Sequence, residues 1–584
     1  MILQALVGYY ERKRSDDPKK MPPFGYSVEN IHYALEINKE GKFLQLQDLR
    51  RHPEKGKPTP KPMAVPTTTE TASRSANVAP NFLWDNSGYV LGSKNKVGDK
   101  EKYFNEFKAK AHEIGDSSDD VGMVAVLKFL DNWKFERISD FEDWEDMKTG
   151  NFVFRLDGEL QFVHEHPAVK KLWEEYLPET EIEYNAIKDG SKKGEKVKGQ
   201  CLLTGETDQP IARVHRQLSG VDGGNPTGQG IISFNKEAFK GFGLEQSFNS
   251  PISIESAFKY TTALNFLLKR ENGQRVKIGD ATTVFWAGEN SPVEDDFKQL
   301  VDPGTEIEAH IKNFLGAIRE GKMPVELEDE KDKQFFILGL SPNASRISVR
   351  FWYPSTVEDV FGKLGEHYAR LKIEKQYDKD FDFPGLWWLL KETATLGKSD
   401  NIPPLLAGEL MRSILTGSRY PESLLSAVLS RIRADGHTNY NRASLTKAIL
   451  IKNHNKEVTV SLNKENKEVP YLLGRLFAVL ERAQEDAAGG QLNATIKDKY
   501  FGSASATPRA VFPLLLSLSS HHTKKGEHGG YYEKMTAEIM EDIPDEKFSA
   551  SMPLEDQGLF FVGYYHQRND FFKKKSDKTE TTEE

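Results

Sequence analysis

The sequence predicts an α+β protein, with an N-terminal mixed α/β domain over residues 1–382 and a C-terminal helical bundle over 383–584. Three observations carry this reading. At 584 residues the chain exceeds what one hydrophobic core usually organises, so two or more domains are expected. Short apolar runs of strand character are spread between residues 87 and 352 with helical stretches among them. After about residue 383 the pattern changes to successive apolar stripes at helical spacing, punctuated by Pro and Gly.

Taken in order, the opening MILQALVGYYERKR places its charges after the apolar stretch and has no small-residue cleavage site, which argues against a secretory leader. Residues 52–80 (HPEKGKPTPKPMAVPTTTETASRSANVAP) have no apolar periodicity and read as a long mobile linker. Within it Lys55, Lys57, Lys61 and Arg74 are available to a phosphate backbone. Strands are expected at 87–93 (SGYVLGS), 151–156 (NFVFRL), 230–234 (GIISF), 282–286 (TTVFW), 335–340 (FFILGL) and 345–352 (SRISVRFW), the last alternating apolar with polar residues. A helix opens at Pro251, with Ile254, Ala257, Phe258, Leu264 and Leu268 on one face.

In the C-terminal part, Pro404 precedes a helix with Leu406, Leu410 and Ile414 that Gly417 stops. Pro421 starts a second, with Leu425, Val428, Leu429 and Ile432 inward, and Asn441 caps a third through Ala448 to Ile451. Pro470 starts a fourth, and two more are expected at 510–520 and 557–573.

Composition narrows the class. No run approaches the roughly 18 apolar residues of a membrane span, so no membrane association is expected. The lone Cys201 excludes an intramolecular disulfide and a site of several thiolates, and a cytoplasmic location follows. The formal net charge of −9 opposes a generic nucleic-acid binder, but the charge is uneven: residues 405–534 hold 18 Lys and Arg against 12 Asp and Glu. That excess permits a local binding face.

Local signatures of catalysis are absent. In LSGVDGGNPTGQGIISFN the glycines 220, 223, 224, 228 and 230 permit close approach to a ligand backbone, yet their spacing is not G-x-G-x-x-G and no GK[ST] follows. His164 and His166 in FVHEHPAV lack the H-E-x-x-H pattern and read as an exposed turn before Pro167. His521, His522 and His528 read as solvent-facing. No G-x-S-x-G elbow occurs, and Cys201 has no neighbouring base. No cofactor, metal or catalytic residue is expected.

Several stretches together resemble the large subunit of the type I-C CRISPR Cascade, the Csd family. They are MILQALVGYYER with MPPFGYSVENIHYAL, NFLWDNSGYVLG, CLLTGE followed by IARVH, GVDGGNPTGQGIISFNKEAFKGFG, FNSPISIESAFKYTTALNFLL, VPYLLGRLFAVLE and FFVGYYHQR, in order from residue 1 to about 568. The glycine segment departs from the family pattern, reading GGNPTGQG where GAQTSGA is closer to expectation. The resemblance implies a non-catalytic subunit of an RNA-guided antiviral complex that recognises the protospacer-adjacent motif in duplex DNA, aids unwinding, stabilises the R-loop and supports recruitment of a helicase-nuclease. Sequence matching is then left to the guide.

Implied partners are the CRISPR RNA, target double-stranded DNA, the backbone subunits, the handle-binding crRNA-processing subunit, and small subunits matching this chain's own C-terminal part from about residue 458. The candidate motif-reading residues are Asn81, Asn86, Lys94, Lys96, Gly224, Asn225, Thr227, Gly228 and Gln229, since amides and hydroxyls read base edges while Lys holds phosphates. The candidates for a DNA-strand groove are Arg431, Arg433, Arg442, Lys447, Lys452, Arg475, Arg482 and Arg509. Two other function classes stay open: a general RNA-binding assembly factor, and a metal-dependent nuclease whose acids are brought together only by folding.

Overall fold

The computed structural model describes residues 1–584 except 19, 55, 75–77, 93–98, 142–143, 188–194, 235, 279–280, 490–491, 545–547 and 574–584. Contacts divide the chain into two compact units. The first comprises Met1–Asn272, Gly288–Asn290 and Ser341–Ser348; the second comprises Gly273–Ala287, Ser291–Leu340 and the chain from Val349 onward.

The first unit is built around a four-stranded sheet of order Phe43–Asp48, Tyr33–Ile37, Asn151–Leu156, Trp84–Asn86. Tyr33–Ile37 is buried along its whole length, and it pairs in parallel with Asn151–Leu156. A parallel pair needs a crossover, and the helices Asp99–Gly115 and Val121–Asn132 lie in that connection. Their Phe107 and Phe129 pack on Phe154, with Leu35 and Trp173 in the same core. Elsewhere in the unit, helix Ile2–Asp16 lies against helix Ile254–Leu268, where Tyr10 meets Phe258 edge-on at 5.8 Å.

The described part of residues 52–80 is not a free linker. Lys61–Pro66 forms a strand antiparallel to Tyr26–Ile31, and Thr69–Ala72 is a helical turn. Met63 and Val65 are buried, and the threonines that suggest a solvated segment satisfy one another: Thr68 and Thr71 form a reciprocal cap, and the Thr69 amide donates to the buried Glu181 at 2.6 Å. Two more expectations are corrected. Of the strand expected over 87–93, the described residues 87–92 are no strand: Trp84–Asn86 is, and the Asn86 side chain accepts from the Gly88 amide at 3.0 Å, starting the helical turn Ser87–Val90. Residues 230–234 carry only a single bridge, Gly230 to Arg346. The helix expected from Pro251 is Ile254–Leu268, capped by Ser253.

The second unit joins a four-stranded sheet, order Arg346–Thr356, Gln334–Asn343, Ala281–Ala287, Arg275–Ile278, to the C-terminal helices in one continuous core running from Val276 to Tyr564. The change of pattern near residue 383 therefore marks a change of secondary structure inside this unit. The expected helices are Leu406–Thr416, Glu422–Asp435, Tyr440–His454, Val469–Ala487, Pro508–Thr523 and Leu554–Phe572, with Ile496–Ala506 and Gly529–Glu541 in addition. Gly417 and Gly436 take the left-handed conformation that ends the first two. Asn439, not Asn441, caps the third, because its side chain accepts from the Arg442 amide at 2.9 Å. Val469–Ala487 and Leu554–Phe572 approach closely at glycines: a Cβ on Gly474 would sit 1.9 Å from the Phe560 carbonyl oxygen, and one on Gly563 would sit 2.4 Å from that of Tyr471. Among the described residues no helix is long and apolar enough to cross a membrane.

Candidate nucleic-acid interface

The glycine segment is a tied loop. Leu218 and Gln229 exchange backbone hydrogen bonds of 3.0 and 2.9 Å at its base. Within it the Gly224 amide donates to Val221 and the Gly228 amide to Asn225, while Asn225 Oδ1 accepts from the Thr227 amide. Gly228 has φ +92, and a Cβ there would lie 2.7 Å from Gln217 Cβ, so only glycine makes this turn without strain. Gly224 is close-packed: its Cβ would meet Gln229 Oε1 at 2.5 Å. Gln229 itself is buried, and its amide donates to the carbonyls of Ala344 and Arg346. Gly224, Gly228 and Gln229 are thus the frame. Asn225, Pro226 and Thr227 are the exposed tip.

Asn81 and Asn86 belong to a second constellation in the first unit. Both donate side-chain amide bonds of 3.0 Å to Asp85, which also accepts their backbone amides and the Arg74 guanidinium. Asn81 is 4% exposed and Asp85 is 0%. In this conformation Asn81 is an internal brace and Asn86 a helix cap, so neither presents its amide freely to a base edge. Arg74, offered by the sequence to a phosphate backbone, is committed to Asp85 instead. Asp85 is not among the residues expected from the sequence; its signal there is an acid flanked by amides in NFLWDN. Lys55, Lys94 and Lys96 lie outside the described residues.

The eight basic residues of the expected groove have different surroundings. Arg442 is buried and saturated by Glu392 (2.8 Å), Asp435 (2.6 Å) and the His437 carbonyl (2.9 Å). Lys447 is buried on the Arg370 carbonyl; burial, then the charge of Lys372, brings its pKa down to about 8. Lys452 donates to Ser413 O and sits 4.4 Å from the Tyr420 ring centroid, with its pKa lowered in the same way to about 8 by burial and then by Arg370. Arg475 is buried on Gln567 at 3.2 Å. Arg442, Lys447 and Arg475 are internal because their stems lie in the core-facing stripes of their helices, and Lys452 is half-buried. Arg431, Arg433 and Arg482 are half-buried, on Asp435, Gln557 and Glu485 respectively. Arg509 is exposed, its Nε donating to the Phe548 carbonyl at 2.9 Å.

The histidine pair is not the exposed turn that its sequence suggests. His164 and His166 are 2% and 7% exposed, and His166 lies between Asp120 and Glu159, at 3.0 and 2.9 Å. Burial holds His164 down to about 3. The Cys201 thiol is buried; burial raises its pKa, but donors from Ser253, Thr204 and Leu203 outweigh that and bring it to about 6. Among the described residues no group of three or more His, Cys, Asp or Glu is placed to hold a metal ion.

Among curated proteins, comparison finds no match. The family model for the CRISPR-associated protein Csd1 (Cas_Csd1) matches residues 6–572, nearly the whole chain, and the chain belongs to that family.

Proposed function

We infer that the chain is the non-catalytic large subunit of a type I-C CRISPR RNA-guided complex, and that it reads the protospacer-adjacent motif in duplex DNA through the tip of its glycine loop. The observation that supports this best is the division of labour within the loop. Buried Gln229 and the close-packed Gly224 and Gly228 hold the backbone, while the side chains of Asn225 and Thr227 stand exposed. A small amide and a hydroxyl on a fixed backbone suit groove readout, where geometry must be kept to a few tenths of an ångström. The half-buried and exposed arginines 431, 433, 482 and 509 then serve the phosphates of a strand. Membership of the family supports the wider role: the subunit helps open the duplex, stabilises the R-loop, supports the helicase-nuclease, and works beside the CRISPR RNA, the backbone subunits, the handle-binding subunit and small subunits made from its own C-terminal part.

The experiment is a binding series with Asn225→Ala, Thr227→Ala and the double variant, on duplexes with the intact and the scrambled motif. Loss of the difference between the two duplexes, at unchanged stability, is the expected result; an unchanged preference would refute the assignment.

A further inference from the structure

A cavity of about 570 Å³ with mostly apolar walls opens in the second unit, where Val276 and Ile278 of the strand Arg275–Ile278 share the lining with Leu386, Leu390 and Ile402. Trp387 belongs to the same lining and is 40% exposed, with the Lys391 ammonium 4.9 Å from its ring centroid. Tryptophan left open beside an apolar cavity marks a place where a partner side chain docks.

The strand beside the cavity is the last of its sheet, paired among the described residues with Ala281–Ala287 alone. Opposed residues of an antiparallel pair alternate between hydrogen-bonded and non-hydrogen-bonded positions. The Phe285 amide donates to the Gln274 carbonyl at 3.3 Å, so by alternation Val276 and Ile278 turn their main chain toward Ala281–Ala287 and Lys277 turns its own outward. Among the described residues nothing bonds to that outward amide and carbonyl. A strand edge open in this way is a template for one more strand.

Charge selects among peptides. Lys277 and Lys298 of the lining are exposed and form no ion pair among the described residues, and Lys391 adds a third cation. Of the two acids in the lining, Asp302 accepts from the Trp387 amide at 3.0 Å, and Asp400 is the exposed one. The surroundings of the cavity thus favour a segment that brings carboxylates.

We propose that this edge and cavity bind an extended acidic segment of a protein partner. Its main chain pairs with Lys277, one apolar side chain enters the cavity beside Trp387, and flanking carboxylates meet Lys277 and Lys298. A nucleic-acid strand would find cations and a ring here as well, but aliphatic walls and an open strand edge suit a peptide.

The test is fluorescence polarisation of labelled short peptides against the full chain, each with acidic flanks and Leu, Phe or Ser at the centre, beside a lysine-flanked set. The Leu- or Phe-centred acidic peptide is expected to bind at least about tenfold more tightly than its Ser-centred and lysine-flanked counterparts. Methylating its main-chain nitrogens should weaken binding by a similar factor, because strand pairing loses its donors. Lys277→Glu combined with Lys298→Glu, both at exposed positions, should abolish binding at an unchanged melting temperature, and Trp387→Ala should weaken it. No binding, equal binding of the Ser-centred peptide, indifference to the charge reversal or tolerance of main-chain methylation overturns the proposal. Displacement of the peptide by a short oligothymidine assigns the site to a nucleic-acid strand and overturns it too.

Discussion

Asp85, completely buried, receives the Arg74 guanidinium through two hydrogen bonds of 2.7 and 2.6 Å. The pair closes a corner in which Asn81 and Asn86 are the remaining donors. Removing one member of a buried pair leaves the other charge without compensation, at a cost of about 3–5 kcal/mol. Arg74 is partly exposed, so the lower end is expected. Asp85→Ala should therefore lose about 3 kcal/mol in urea unfolding, a larger loss than Asn86→Ala, which removes the cap bond to Gly88 and one amide bond to Asp85.

Four buried histidines make stability depend on acid. His164, His367 and His566 are held down to about 3 and His215 to about 4, in each case first by burial. Three of them contact tyrosine hydroxyls: His215 with Tyr260, His367 with Tyr420 and His566 with Tyr471. Unfolded imidazoles protonate near pH 6.5. Below that pH the unfolded chain binds more protons than the folded one. Stability is thus full above about pH 6.5 and falls as the pH drops toward 4, by about 1.4 kcal/mol per pH unit for each histidine. In chemical unfolding across that range, His566→Gln should flatten the slope by one such increment.

The glycines of the second unit are not equivalent. Gly474→Ala drives a methyl into the Phe560 carbonyl and should destabilise by about 1–3 kcal/mol or more. At Gly408, inside the helix Leu406–Thr416, an added methyl would meet nothing within 4 Å. Gly408→Ala should stabilise by about 0.5–1 kcal/mol. Thermal unfolding of the two variants gives opposite shifts if the helix crossing is as close as described.

Burial separates the cations that can serve DNA from those that hold the fold. Arg509→Gln should lower the slope of log affinity against log salt by about one unit, across target sequences. Arg475→Gln should leave that slope unchanged and lower the unfolding midpoint, since Arg475 is buried on Gln567. A salt slope that moves with Arg475 and not with Arg509 would place the strand elsewhere.

A separately made small subunit should begin in the segment between the helices Tyr440–His454 and Val469–Ala487. That segment has no internal Met, since none occurs between Met411 and Met535. A non-AUG start encoding Val458, Val460 or Leu462 keeps the Val469–Ala487 helix paired with Leu554–Phe572. Mass spectrometry of the complex expressed from the native gene should show such a fragment; none at all, or one beginning at Met411, would refute this placement.

The order of amino acids is enough to establish the α+β class and the ladder of C-terminal helices. Apolar spacing at 3.6 residues with Pro and Gly at the ends is a local signal, legible at Leu406, Leu425 and Leu472 without any partner. It is also enough for the family, because a set of short stretches in a fixed order needs no fold to be recognised. What the polar residues do is settled only when the chain is folded. Thr67–Thr71 has the composition of a solvated linker, yet it is a buried, self-satisfied turn because Glu181, far along the chain, supplies an acceptor. Arg442 and Arg475 have the spacing of groove cations, yet they turn inward to acids and amides on other elements. A hydrophobic stripe announces its burial through its own spacing, whereas a polar side chain is buried or exposed according to partners that are remote in sequence.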